Sequence, residues 1–329
     1  MYITNTYNKC ENKMKKTDKL HKEIAESSYN NFELGKEAYT KQRYLIGTTI
    51  DYAYNRSGHG EKIYAIVSNG PGILPDAPDK ERDQVKEITL LFKGSTNPLK
   101  YFLGKREEVT TDWKENNFKI IKNIQNKIVD VPEQLKIASA YLQNIIKLYP
   151  HAQINIYGHS LGAMNAQYAL ANVTEYSKIN HAHIYNSPNI YTLLSDIQKI
   201  NISALYSKIY NYVDSKDFIG LYYKEGEAGV GQVFKFDSRN KLIKSVSEAT
   251  IPLSVLQSPI KPVINLLFIP IHTRLTTSVL YGVANQHMWG GFKFDEDGNL
   301  IDKSGKRVYP LEKPEEISKF EKNYILNKN

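Results

Sequence analysis

The chain has 329 residues, 41% hydrophobic and 24% charged, with a formal net charge of +8. Those values exclude wholesale disorder, and the length suffices for one large domain or two small ones with a well-buried core. A single cysteine, Cys10, excludes an intrachain disulfide, so packing alone must hold the fold. The positive balance favours anionic partners, an acidic lipid surface foremost. Its basic residues are interspersed with acidic ones and form no Arg-rich recognition helix, so nucleic acid is not an expected partner. No stretch reaches the roughly 18 to 20 apolar residues of a membrane span. The longest apolar patch, Ile260 to Ile271, is interrupted by Lys261, Pro262 and Pro270. Met1 to Leu20 is polar and lacks the apolar centre of a signal peptide. The expected location is the cytoplasm, or the exterior by a signal-peptide-independent secretion system.

In chain order, residues 1–42 read as a helical arm with an apolar stripe through Leu20, Ile24 and Tyr29. It is either a packed leading helix or a detachable element. Tyr44 to Tyr52 and Lys62 to Ser68 alternate in strand fashion around a turn at residues 56–60. Glu87 to Phe92, EITLLF, is an apolar run typical of a buried parallel strand, and it ends at Lys93-Gly94-Ser95. Two helical patterns follow, one through Phe118, Ile121, Ile124 and Ile128, the other from Pro132 to Tyr149. Gln153 to Tyr157, QINIY, is the next strand, and Ala163 to Ala171 is a small-residue helix suited to close packing on a sheet. Ala182 to Tyr185, Lys208 to Val213 and Val233 to Phe236 are further strands. Alternating strands and helices predict an α/β fold, a mainly parallel sheet with helices on both faces. Residues 251–284 are apolar and proline-rich, which predicts a cap or lid within an insertion at 225–285. The expected organisation is the arm at 1–42 and one domain at 43–329.

Between the QINIY strand and the alanine-rich helix lies Gly158-His159-Ser160-Leu161-Gly162. A serine hydroxyl is a poor nucleophile unless it is exposed, held in one geometry and placed beside a base. A sharp strand-to-helix turn does the first two, and small residues two before and two after the serine relieve its crowding. The turn also sets Ser160 at a helix start, where free N–H groups and the helix dipole stabilise a developing oxyanion. The five-residue pattern alone is weak evidence; its strand-to-helix context strengthens it.

These residues resemble the class 3 lipase family of α/β-hydrolases, in its bacterial lipase-like and phospholipase-like branch. GHSLG is similar to that family's elbow. Leu91-Phe92-Lys93-Gly94-Ser95 is similar to its Phe-Arg-Gly-Thr segment, and Thr111-Asp112-Trp113 to the Asp-Trp pair that follows. Tyr185-Asn186-Ser187-Pro188 resembles its Gly-Ser-Pro strand end, and Asn211 to Ile219 the strand end that bears the acid. The departures are Lys93 for Arg, Ser95 for Thr, and Phe218-Ile219-Gly220 where prolines are common. The resemblance implies an α/β-hydrolase-type fold and a serine carboxylester hydrolase without metal or cofactor.

The acid should follow the serine and precede the histidine. Asp214 and Asp217 both qualify, and the resemblance puts the role on Asp217. Among eight histidines, His21, His59 and His151 lie in polar contexts, and His159 is expected to point away from the serine's partner. His181 and His183 flank a strand too early in the order. His272 sits in the apolar stretch, whereas His287, in Asn285 to Phe292, resembles the family's late catalytic loop. The expected set is therefore Ser160 as nucleophile, His287 as base and Asp217 as its orienting acid. The N–H groups of Ser95 and Leu161 would form the oxyanion hole. The acidic run Asp295, Glu296 and Asp297 reads as a hairpin turn, not as a calcium loop.

Two apolar segments could shape an acyl site or lid, residues 98–104 and residues 251–267. With the basic charge they point to an acyl lipid substrate, glycerophospholipid slightly ahead of triacylglycerol, at an anionic membrane surface. A secretion or immunity partner protein is a further expectation. The alternatives are a soluble esterase or acyltransferase, or a non-catalytic module that binds membrane or protein.

Overall fold

The computed structural model describes residues 16–55, 59–95, 123, 130–215, 217, 223, 226–238 and 286–326. Eight strands form the main sheet and stand side by side in chain order. They are β1 (Glu37–Tyr39), β2 (Leu45–Tyr54), β3 (Lys62–Asn69), β4 (Glu87–Phe92), β5 (Gln153–His159), β6 (Ile179–Tyr185), β7 (Ile209–Asp214) and β8 (Gln232–Phe236). β1 to β4 pair antiparallel, and β4 to β8 pair parallel. The helices are α1 (Asp18–Glu26), α2 (Glu133–Leu148), α3 (Leu161–Ala171), α4 (Asp196–Ala204) and α5 (Glu315–Leu326). This is an α/β-hydrolase-type fold.

Each parallel strand is added on the same side of the last. Right-handed crossovers then put the connecting helices on one face. There α3 packs between α2 and α4, and α5 packs on α4. The pleat sorts β5 between the two faces. Ile154 and Ile156 join the core under α2 to α4, while Tyr157 joins a second core on the opposite face. That second core receives Ile24 and Ala25 from α1, and Phe292, Leu300 and Val308 from the C-terminal segment. Burial of both faces explains why β4 is mostly apolar, with Ile88, Leu90, Leu91 and Phe92 all buried.

The leading helix is packed, with His21, Ile24 and Ala25 buried. Its N-terminus is clasped by the hairpin of β9 (Lys293–Phe294) and β10 (Leu300–Ile301), where Asp18 Oδ2 accepts from the Leu300 N–H at 3.0 Å. The helical reading to residue 42 does not hold. α1 gives way to a short 3₁₀ turn at Ser27–Tyr29, and residues 37–39 form an edge strand. The free backbone edge of β2 decides this: Thr49 N donates to Lys36 O, and Gly35 N donates to Thr49 O, across a turn in which Gly35 has φ 74°. At the start of the expected cap interval lies β8, one residue longer than the sequence pattern gives. The rest of that interval (239–285), the segment 98–104, Thr111-Asp112-Trp113, the helical pattern at 118–128 apart from Asn123, and His272 lie outside the described residues. Among the described residues no helix is long and apolar enough to cross a membrane.

Candidate active site

The carboxyl ends of the parallel strands converge on one rim of the sheet, the usual place for ligands in open α/β sheets. β5 ends at His159, and α3 begins at Leu161, so Ser160 alone makes the turn. Its backbone has φ 54° and ψ −123°, a region that costs an L-residue about 1–3 kcal/mol. Two bonds hold it there: Ser160 N donates to Tyr185 O at 3.0 Å, and Met164 N donates to Ser160 O at 3.1 Å. The flanking glycines are demanded by contact. A Cβ on Gly162 would stand 2.1 Å from Phe92 O, and one on Gly158 would stand 2.8 Å from Ala163 Cα and Gly162 O.

The structure brings Ser160, His287 and Asp217 together. Ser160 Oγ lies 2.9 Å from His287 Nε2, and His287 Nδ1 lies 2.6 Å from Asp217 Oδ2. The carboxylate acceptor fixes the proton on Nδ1, leaving Nε2 to accept from the serine hydroxyl. All three residues are buried, and the Asp217 side chain is wholly so. In that low-dielectric setting a carboxylate–imidazole pair is strengthened. Asp214, the alternative acid, faces elsewhere: its Oδ2 accepts from Ser238 Oγ, and its N–H donates to Asn186 Oδ1 at 3.1 Å. Asp217 follows by a tight turn, its N–H bonded to Asp214 O at 3.1 Å.

The N–H groups expected to receive an oxyanion belong to Leu161 and Ser95. Leu161 is the first residue of α3, where backbone N–H groups have no partner within the helix. Ser95 is buried three residues beyond Phe92, which pairs with Gly158 in the sheet. Its neighbour Gly94 presses on the elbow so closely that a Cβ there would come within 2.6 Å of His159 O.

His287 sits in a π-helical turn, Gln286–Gly290. Such turns are rare and concentrate at functional positions. Its backbone carbonyl accepts two bonds, from His159 Nε2 and from Asn186 Nδ2, each at 2.9 Å. The expected orientation of His159 is thus corrected: its ring lies beside that of His287, with centroids 5.2 Å apart. Tyr29, arriving from the N-terminal turn, donates to His159 Nδ1 at 2.7 Å. Both ring nitrogens of His159 are thereby engaged, and it must be neutral with its proton on Nε2. Burial, then the positive potential at His287, lowers its pKa to about 3. Trp289 packs on the His159 ring at 4.4 Å and edge-on to Tyr185 at 5.6 Å, which anchors the turn that carries His287.

His159, Asn186 and Tyr29 are the site residues that sequence reasoning missed. Asn186 carried a signal, since it lies in the strand end already matched to the lipase pattern, and asparagine takes up the left-handed conformation it has there, φ 44°, more readily than most residues. Elsewhere, Asp295 is committed to its hairpin. Its oxygens accept from Asn299 N at 2.8 Å and from Asn299 Nδ2, and the side-chain bond holds its carboxyl below the ordinary range.

The fold is a mainly parallel α/β sheet, and at its rim one histidine stands in hydrogen-bond reach of both a serine and an aspartate. Comparison with known proteins adds coarse likenesses. The sequence model of the Mbeg1-like family matches residues 107–244. That interval contains Ser160 and Asp217 and ends before His287. No curated protein matches. Among solved structures, the chain is similar to the Lip2 lipase from Yarrowia lipolytica, with a TM-score of 0.38 and 15% identity over 67% of this chain and 77% of that one.

Proposed function

We propose that this protein is a serine carboxylester hydrolase of lipase type. The observation that carries the reading is His287, which bridges Asp217 Oδ2 at 2.6 Å and Ser160 Oγ at 2.9 Å on a strained strand-to-helix turn. His287 takes the hydroxyl proton as Ser160 Oγ attacks an ester carbonyl, and Asp217 orients and stabilises the imidazolium. The N–H groups of Leu161 and Ser95 receive the oxyanion. Collapse expels the alcohol with a proton from His287 and leaves an acyl-enzyme. Water, deprotonated by the same imidazole, releases the acid.

The substrate proposed is an acyl lipid, with glycerophospholipid ahead of triacylglycerol. The net charge of +8 and the apolar segments 98–104 and 251–267 support it. The test is fluorophosphonate labelling, followed by hydrolysis of neutral and anionic phospholipid vesicles, triacylglycerol and short-chain esters. The expected result is labelling that disappears in Ser160→Ala, and release of fatty acid from vesicles, faster on anionic ones. Absence of labelling in the wild type, or labelling that persists in Ser160→Ala, overturns the hydrolase. Turnover of short-chain esters alone overturns the lipid and leaves a soluble esterase.

A further inference from the structure

His181 and His183 stand two residues apart on β6, so their side chains leave the sheet on the same face. α1 crosses that face, packing on β5 and β6, and brings His21 against both rings. His21 stacks on His183 with centroids 3.6 Å apart, and His181 meets both rings edge-on, at 5.1 Å from His21 and 5.0 Å from His183. One ring nitrogen of each lies within 4.8 Å of one from each of the others.

Two features of this cluster call for a ligand. Among the described residues, Nδ1 of His181 and Nδ1 of His183 are buried without a hydrogen-bond partner. Such an atom costs about 1–3 kcal/mol, and folded proteins rarely leave two side by side. The second feature is His21 Nδ1, which is 2.9 Å from Tyr157 Oη. With the ring proton on Nδ1 and given to the phenol oxygen, Nε2 carries a lone pair, and the bond is then the outer hydrogen bond that metal-binding histidines usually possess. Lys16 adds positive potential to all three, and Glu87 adds negative potential at His181.

We propose that His21, His181 and His183 form a binding site for a zinc-type divalent transition metal that staples α1 to β6. An all-imidazole donor set suits zinc, cobalt, nickel and copper and is poor for calcium or magnesium. Binding opens the His21–His183 stack, so that the rings tilt toward a common point about 2.0–2.1 Å from each nitrogen. Three protein ligands leave a fourth position for water. The staple has a reach beyond itself, because α1 runs directly into the turn that carries Tyr29, the partner of His159.

The test uses tag-free, full-length protein stripped with chelator, titrated with zinc by calorimetry and with cobalt by visible absorption. The expected result is one equivalent of metal, cobalt d–d bands of a low-coordinate nitrogen site, and a zinc-dependent rise in the unfolding midpoint. His181→Gln/His183→Gln loses the equivalent, and Tyr157→Phe binds about tenfold more weakly. Stripped wild type that takes up no equivalent of zinc or cobalt overturns the site, whatever the variants do. So does a folded double variant that binds as the wild type does. Should the double variant fail to fold, His21→Gln replaces it, with unchanged affinity as the overturning result.

Discussion

His159 Nε2 donates to the backbone carbonyl of His287 at 2.9 Å, tying the residue before the nucleophile to the residue that would serve as its base. The bond is buried, and losing it costs about 1–3 kcal/mol. It acts on the position of His287 and not on a reacting atom. His159→Ala should therefore lower kcat on a short-chain ester about ten- to a hundredfold with little change in KM. His159→Asn, which keeps a donor, should recover part of the loss. Asn186 serves the same carbonyl. The His159→Ala/Asn186→Ala pair should then be non-additive in a double-mutant cycle. Wild-type kinetics in His159→Ala would remove the positioning role.

The same residue makes a statement about pH. Its folded pKa is lowered to about 3, from an ordinary value of 6.5, because burial opposes the charge. The unfolded chain therefore binds a proton that the folded chain refuses. Stability is fully present above pH 6.5 and is lost as pH falls toward 3, at about 1.4 kcal/mol per pH unit for this one group. Urea unfolding at a series of pH values should give a wild-type slope one proton steeper than that of His159→Asn. Identical slopes would mean that the imidazole is not held neutral.

The choice between two aspartates gives a direct comparison. Asp217 Oδ2 meets His287 Nδ1, whereas Asp214 accepts from Ser238 and braces Asn186. Asp217→Asn should cost about 10⁴ in kcat, as loss of the orienting carboxylate does in comparable triads. Asp214→Asn keeps the shape and should cost about tenfold or less in kcat, with its main effect on the unfolding midpoint. A larger kinetic loss in Asp214→Asn than in Asp217→Asn would reverse the assignment.

These cases mark how far the sequence could be read. EITLLF and QINIY are legible as strands because burial on both faces favours apolar and β-branched residues, with Asn155 the buried polar exception. The elbow is legible because its glycines are forced by contacts with Phe92 O and Ala163. The face that holds Tyr157, His181, His183 and Tyr212 is not legible. Its residues look polar, and what buries them is α1, which arrives from more than a hundred positions away. His21 looks solvent-facing in its own polar neighbourhood for the same reason. Asp214 and Asp217 could not be ranked from the strand pattern, because the turn after β7, and not the strand, decides which one reaches His287.

Ser160 gives a prediction in which chemistry and stability part. Its φ of 54° with ψ −123° lies where only glycine is unstrained, and the strain is about 1–3 kcal/mol. Alanine at this position keeps the strain and loses the hydroxyl that bonds His287. Glycine also loses the hydroxyl but relieves the backbone, offset by about 0.5–1 kcal/mol of extra unfolded-state entropy. Both variants should be inactive and unlabelled. Ser160→Gly should nevertheless be more stable than Ser160→Ala by about 1 kcal/mol, roughly 2 °C in the unfolding midpoint for a domain of this size. Calorimetry on the two variants under one set of conditions measures the difference. Equal midpoints, or a more stable alanine variant, would show that the turn holds its serine without strain, and the elbow would then owe its shape to the glycine contacts alone.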